Sequence, residues 1–229
     1  MSDLFGKKIL LTSGPTCAPL DAVRYIANRS TGRLGSAIAY ELHRRGAELI
    51  HLAGENSFTS QQLHPGEDLS RIRVERFLMV EDLKDKLRRH LLEDSLDAVL
   101  MAAAVLDYVP ADPLPGKKSS QDGEWIIRLK RGEKLIEHIR VWAPHVFLVG
   151  FKLEADITLE ELSARAGDLM DRSGAALVLA NRLEEIGNEN HVGYIIERIA
   201  GSTDCVISPP LRAREEIAAR LADRLSEGL

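Results

Sequence analysis

The chain has 229 residues, 45% apolar and 28% charged, with a formal net charge of −5. That length suits one α/β domain or two small ones with a full hydrophobic core. The acidic balance excludes a bulk positive field that would recruit nucleic acid. The most apolar run, 98–106, has about half the residues that a membrane-spanning helix needs. The two cysteines, Cys17 and Cys205, lie far apart with no zinc or CxxC spacing, which fits a reducing compartment. The N-terminus carries no secretory pattern. The expectation is a cytoplasmic protein with no membrane or nucleic-acid partner.

"KILLTS" (8–13) predicts the first strand. Dinucleotide-binding proteins place a short glycine turn after that strand. Here "TSGPTCAPLDAVRYIANRSTGRLGSAIAYEL" (12–42) supplies a long polar loop. Leu34, Ile38 and Leu42 recur at helical spacing, and Gly46 terminates that helix. "ELIHLAG" (48–54) predicts the second strand, "RIRVERF" (71–77) alternates as a half-buried strand does, and 80–94 predicts a helix. "DAVLMAAAV" (97–105) reads as a strand buried on both faces.

Segment 106–125 holds three prolines, two glycines and the pair Lys117–Lys118. Such density rules out a regular element, and long loops inside compact domains are often functional. Residues 106–124 are therefore read as a mobile active-site loop. Beyond it, 124–130 predicts a strand and 133–143 a helix closed by Pro144. A strand follows at 145–151, then a helix ending at Gly174, then strands at 175–181 and 193–199. The last helix is read as starting with Ser208 as cap and Pro209 at its first position.

Strands alternating with helices predict parallel βαβ units. The fold class is α/β: one domain over 1–229, a doubly wound, mostly parallel Rossmann-like sheet with a small β-rich appendage near 105–130 and 190–206. Ligands in such sheets bind at the carboxyl ends of the strands. Loops 14–33 and 103–120 and the strand ends at 151 and 181 therefore share one rim.

Gly14 opens the first loop, and free N–H groups at Gly32–Gly35 would form an anion site at the head of the helix. Ser30 or Thr31 can cap that helix and add hydroxyl donors. Asn28 offers a neutral amide that does not titrate. Arg24 offers a planar fork for a carboxylate or phosphate. Lys117 can neutralise charge that builds up in nucleotidyl transfer. Singly, each of these is more often an ordinary surface or turn residue. Cys17 has no histidine near it in sequence, and the seven histidines show no HxH or HExxH spacing, so no protein metal site is expected. The rival reading is a nicotinamide-dependent oxidoreductase or a non-catalytic nucleotide-binding protein. Glu55 even stands where an acidic ribose ligand would. Against it, GxGxxG, a Tyr-x-x-x-Lys pair and the Walker A pattern are all missing.

Together the pieces resemble phosphopantothenoylcysteine synthetase, the ligase of coenzyme A biosynthesis. "SGPTCAPLDAVRYIANRSTGRLG" follows the family's Gly-x-Thr, Pro-Leu/Ile-Asp and Val-Arg-Tyr-Ile-x-Asn-x-Ser-Ser-Gly-x-x-Gly. "AAAVLDY" (102–108), with Lys117 nine residues after its tyrosine, "VGFKLE" (149–154) and "LVLAN" (177–181) resemble later blocks in the same order. The resemblance implies that CTP or ATP activates the carboxylate of 4'-phosphopantothenate as an acyl-nucleotidylate, releasing pyrophosphate. L-Cysteine then displaces the nucleoside monophosphate. Mg²⁺ would ride on the triphosphate. By position, Asn28 would hold the acyl-nucleotidylate and Lys117 would assist its formation. Ser30, Gly32 and Gly35 would line the phosphate turn, and Ala103 and Ala104 would approach the substrate through backbone groups. Asp107 and Phe151 would flank the nucleotide, with Asn181 and Gly14 at its rim. Arg165 is the choice among basic residues after Phe151. Arg24 would meet the pantothenate side across the interface of a homodimer.

"KKSS" stands where many bacterial members have Lys-x-Lys-Lys, and "FKLE" where many have Phe-Ala-Ala-Glu. Both resemble the stand-alone eukaryotic enzymes that use ATP more than the bifunctional bacterial ones that use CTP, and both nucleotides stay open. Ala18 replaces a commonly acidic position. The chain begins almost at the first strand, so the expectation is synthetase activity without the fused decarboxylase and without flavin.

Overall fold

The computed structural model describes residues 4–121, 123–187, 191–199 and 201–229. In chain order the first half contains β1 (Lys8–Ser13), β2 (Cys17–Pro19), β3 (Tyr25–Ala27), α1 (Arg33–Arg44), β4 (Glu48–Gly54), α2 (Ser60–Leu63), β5 (Ile72–Phe77), α3 (Val80–Glu93) and β6 (Ala98–Met101). Then come β7 (Tyr108–Pro110), β8 (Leu129–Arg131), α4 (Ile139–Trp142), β9 (Phe147–Glu154), α5 (Leu159–Ser173), β10 (Leu177–Arg182), β11 (Val192–Arg198), β12 (Cys205–Ile207), β13 (Leu211–Arg212) and α6 (Arg214–Gly228).

Among the described residues one sheet runs in the order β12-β11-β10-β9-β6-β1-β4-β5, with β13 pairing β11. The six strands from β10 to β5 are parallel, and β11, β12 and β13 extend the sheet antiparallel. The strand order reverses between β1 and β6, whose registers pair Ile9 with Ala98 and Thr12 with Met101. That reversal opens a crevice at the carboxyl ends of these two strands.

Apolar residues on both faces of the inner strands force helices onto both sides. Ile38 and Leu42 of α1 and Ile217 and Leu221 of α6 cover Ile9, Leu11 and Leu49. Leu83 and Leu87 of α3, Ile139 of α4 and Leu162 of α5 cover Leu10, Leu52 and Val99. Helix α5 starts with a reciprocal cap. Thr158 Oγ1 accepts from Glu161 N, the Glu161 carboxylate accepts from Thr158 N, and Gly174 ends the helix with φ 69°. The doubly wound, mostly parallel sheet is thus as the sequence pattern predicts.

Several boundaries differ. The apolar run 97–105 is a strand only to Met101, because Ala104 leaves β6 and bridges Pro15 instead. The predicted strand 124–130 contributes only to β8, which pairs antiparallel with β7 as a small hairpin. The predicted helix 133–143 is a 3₁₀ turn at Leu135–His138 followed by the short α4. Ser208 is not a helix cap and Pro209 is not at a first helical position. Ser208 Oγ accepts from Ile195 N at 3.0 Å, β13 intervenes, and α6 begins after Ala213. The β2–β3 hairpin, hidden inside loop 14–33, and α2 were not legible as elements. Of the expected appendage, the part near 105–130 is the β7–β8 hairpin, while 190–206 belongs to the main sheet. Residues 122, 190 and 200 lie outside the described set.

Candidate active site

The loop after β1 and the chain leaving β6 are fastened to each other. Ala104 N donates to Gly14 O at 2.9 Å, and Thr16 N donates to Ala104 O at 3.3 Å. Buried Thr12 Oγ1 accepts from Ala103 N at 3.1 Å, and Thr16 Oγ1 accepts from Leu106 N at 3.0 Å. The backbone of Ala103 and Ala104 therefore forms one wall of the crevice. Asn28, exposed just beyond β3, reaches that wall: its Nδ2 donates to Ala104 O at 3.3 Å and Val105 O at 3.2 Å. Its Oδ1 makes no hydrogen bond to a described residue.

Helix α1 opens beside this wall. Its cap is Gly32, in the left-handed region at φ 74°, and no side chain caps it. Neither Ser30 nor Thr31 takes the capping role the sequence offered them. Ser30 N donates to Asn28 O, and Thr31 O accepts from Phe58 N. The first helical bond is Ser36 N to Gly32 O at 2.9 Å, so the N–H groups of Arg33, Leu34 and Gly35 have no described acceptor. Ser57 backs the turn. A Cβ on Gly14 (φ 79°) or Gly32 would lie 2.6 or 2.7 Å from Ser57 Cβ. A Cβ on Gly35 would meet Ser13 Cβ at 2.3 Å, so α1 presses directly on β1 there. Ser57 is itself held by Arg76, whose Nη1 donates to Gly54 O and Ser57 O, each at 2.8 Å.

Arg24 lies at the other end of β3, about 13 Å from Asn28 by extended-strand spacing. Its Nη1 donates to Asp21 Oδ2 at 2.5 Å and to Lys118 O at 3.3 Å. Lys117 is exposed and makes no hydrogen bond or ion pair among the described residues.

The remaining candidates are spread along the rim and beyond it. Asp107 is exposed and ion-paired with Lys134. Phe151, expected at a strand end, stands midway along β9, which runs on to Glu154, and is half-buried against the core that α1 and α6 cover. Asn181 is buried at the end of β10, where its Nδ2 donates to Val192 O at 2.6 Å and lies 3.4 Å from His191 Nε2. Arg165 is exposed on α5, and no hydrogen bond or ion pair joins it to a described residue. Lys152, next to Phe151, is the basic side chain nearest that strand end in sequence and pairs with Glu154 at 2.8 Å. Burial pushes the Cys17 thiol up, which keeps it protonated and unreactive. Among the described residues no group of three or more His, Cys, Asp or Glu could hold a metal ion, and no helix is long and apolar enough to cross a membrane.

Sequence reasoning did not single out Thr12, Thr16, Ser57 or Asp21. Thr12 and Ser57 gave only the weak signal of small polar residues beside apolar strands, while Thr16 stood unassigned in the Gly-x-Thr pattern. Asp21 stood in view within "PLDAVR", three residues before Arg24.

A Rossmann-like α/β domain with a backbone-lined, anion-receptive crevice at its switch point is the class this architecture defines. The chain belongs to the DNA/pantothenate metabolism flavoprotein C-terminal domain family, whose model matches residues 4–229. Among its relatives is the coenzyme A biosynthesis bifunctional protein CoaBC of Thermococcus kodakarensis, 34% identical over 227 residues, covering 99% of this chain and 52% of that protein. The chain thus spans about half the length of the curated relative it matches. In fold it is similar to the DNA/pantothenate metabolism flavoprotein from Streptococcus pneumoniae, with a TM-score of 0.84, 24% identity and coverage of 98% of this chain and 100% of that one. It is also similar in fold to a Cab2 mutant in complex with phosphopantothenate-cysteine, with a TM-score of 0.74, 22% identity and coverage of 97% and 88%.

Proposed function

We propose that the chain is a phosphopantothenate–cysteine ligase acting in coenzyme A biosynthesis, through an acyl-nucleotidylate made from CTP or ATP. The observation that carries this reading is the Asn28 carboxamide, held on the Ala104 and Val105 carbonyls with its oxygen turned to no described partner. A neutral amide there can orient a mixed anhydride without titrating. The relative's name and family membership support the same pathway.

A carboxylate is a poor electrophile, so its oxygen must first attack the α-phosphorus of the nucleotide and expel pyrophosphate. The cysteine amine then forms the amide bond, loses a proton, and the nucleoside monophosphate leaves with the acyl C–O electron pair. The protein aligns the partners and stabilises the charge that develops. The open N–H groups of Arg33, Leu34 and Gly35 suit a phosphate. Lys117 meets charge developing on the departing pyrophosphate, and Arg24 faces the pantothenate side. Phe151 and Asp107 flank the nucleotide, with Lys152 as the rim cation. A divalent ion accompanying the triphosphate would lower its charge. No described carboxylate or histidine cluster fits such an ion, so the proposal leaves it on the nucleotide. Flavin has no part in this scheme, and a homodimer acting in the cytoplasm completes the reading.

Pyrophosphate release is expected only when nucleoside triphosphate, phosphopantothenate and cysteine are all supplied, or on the first two alone at one equivalent per site. NAD(P) binding without nucleotide turnover would refute the ligase. Asn28→Ala is expected to slow amide formation by about 100-fold or more and to let acyl-nucleotidylate accumulate. Unchanged product yield would remove Asn28 from the mechanism.

A further inference from the structure

Residues 20–24 and residues 114–118 of the proline-rich loop run side by side. Leu114 N donates to Leu20 O at 2.9 Å, and Ala22 N donates to Gly116 O at 3.3 Å. Between these two bonds sits Asp21, whose side chain has no exposure to solvent. Its Oδ1 accepts from Val23 N at 2.9 Å and Arg24 N at 2.7 Å. Its Oδ2 accepts from Arg24 Nη1 at 2.5 Å and, across the gap, from Lys118 N at 3.1 Å. The same Arg24 nitrogen reaches Lys118 O, which closes a ring of Asp21, Arg24 and Lys118.

Burial pushes the Asp21 carboxyl up, but the N–H groups of Val23, Lys118 and Arg24 and the Arg24 charge outweigh it and hold the group at about 2. Asp21 is therefore ionised at any working pH. An ionised, solvent-free carboxylate without these donors would be costly, so the donors and the acid hold each other in place. Lys117 stands between Gly116 and Lys118, both held through their backbones, while its own side chain stays exposed. The Arg24 guanidinium lies 5.6 Å from the Trp125 ring, and its Nη1 alone serves the ring of bonds.

We propose that Asp21 is a positioning residue: it fastens the lysine-bearing loop to the segment carrying Arg24, so that Lys117 is set in place by the substrate-side strand. The fastening rests on the geometry. Only its catalytic consequence rests on the ligase reading above. In this arrangement an anionic substrate that engages the free face of Arg24 touches a group already bonded to the loop that carries Lys117.

The test is hydrogen exchange resolved by mass spectrometry, read beside steady-state kinetics. Asp21→Asn is nearly isosteric, but its amide nitrogen cannot accept from Lys118 N or Arg24. Lost charge-assisted bonds of this kind are expected to speed exchange at Val23, Arg24 and Lys118 by about tenfold or more, with Ile9–Leu11 unchanged. Pyrophosphate release should fall about tenfold in kcat with the KM for cysteine unaltered, and the unchanged exchange at Ile9–Leu11 shows that this fall does not come from a smaller folded fraction. Arg24→Leu, which keeps three of the four bonds to Asp21, should speed exchange at Lys118 less. It carries the test if the first variant does not fold. Asp112→Asn removes an exposed carboxylate of the same loop, paired with Arg128, and should change neither readout. Unchanged exchange at Lys118, equal acceleration at Ile9–Leu11, or faster exchange with undiminished kcat would overturn the proposal. A wild-type chain that releases no pyrophosphate would sink the ligase reading instead, and the exchange data would still decide the fastening.

Discussion

At the β1–β6 end of the rim, each wall of the crevice is bonded to another wall. The loop after β1 holds the chain leaving β6, Asn28 holds the same chain from β3, and α1 rests on Ser13 without even a methyl group between. At the β9–β10 end the candidates are separate. Phe151 faces the core, Asn181 is turned to β11, and Arg165 stands out on α5. The first region is a preorganised cradle, where geometry is set before a ligand arrives. The second supplies a hydrophobic floor and a strand edge. Sharing a strand-end position does not give residues a shared role, because side-chain direction and hydrogen-bond commitments decide what each can touch.

The largest effect is expected from forcing the cradle open. Gly35→Ala should improve intrinsic helix propensity by about 1 kcal/mol. The added Cβ, however, would lie 2.3 Å from Ser13 Cβ on a central strand. Overpacking against backbone-fixed atoms is expected to win, with a net loss of about 3 kcal/mol in urea unfolding. A stability equal to that of the parent chain would mean that α1 does not bear on β1 as closely as described.

Each region also buries a neutral histidine. His51 Nε2 lies 2.7 Å from Ser13 Oγ in the first, and His191 adjoins Asn181 in the second. Both leave Nδ1 buried without a partner among the described residues. Burial, aided by the Arg76 charge, holds His51 at about 4, and burial with the Arg214 charge does the same for His191. In the unfolded chain each titrates near 6.5. Between those values the unfolded chain binds protons that the folded chain refuses, so stability falls as pH falls through that window. Between pH 7 and pH 5 the expected loss is about 2 kcal/mol per histidine. His51→Gln should halve the slope of stability against pH. An unchanged slope would show that His51 does not stay neutral in the folded protein.

How much of this was legible in the sequence follows the same division. The crevice could be read because its residues come from one continuous stretch, Gly14 to Gly35, whose glycines and polar groups have few other uses in that order. The layered sheet could be read because the inner strands are short, mostly apolar runs between amphipathic helices. What escaped depends on long-range partners. The end of β6 at Met101 is set by the Pro15–Ala104 bridge, and a run of three alanines gives no local hint of it. Ser208 looked like a cap because the Ser-Pro pair fits one, yet a sheet edge thirteen residues back claimed its hydroxyl. Asp21 accepts one of its four bonds from a loop almost a hundred residues away, which no periodicity reports.

Asn181 tests the second region more gently. Its buried amide holds the Val192 carbonyl at the start of β11, so Asn181→Ala is expected to cost about 1 to 2 kcal/mol in thermal or urea unfolding. Its effect on the KM for nucleotide should stay within severalfold. A large rise in that KM with little loss of stability would move Asn181 from framing the strand edge to contacting the ligand, and would make the two ends of the rim more alike than their bonding suggests.

The smallest effect is expected at Arg165. The sequence offered it as a triphosphate contact because it is a basic residue on the helix after Phe151. That helix begins at Leu159, so Arg165 lies about 9 Å along the axis from the end nearest the strand terminus. Its neighbour Ala166 is buried and Arg165 is exposed, which turns its side chain to solvent. Arg165→Ala should therefore leave stability within about 0.5 kcal/mol of the parent and the KM for nucleotide within about twofold. Lys152→Ala, on β9 two residues before its end at Glu154, should raise that KM more. If the order were reversed, α5 would have to swing its exposed face toward the rim when nucleotide binds, and the floor of the second region would be a moving part.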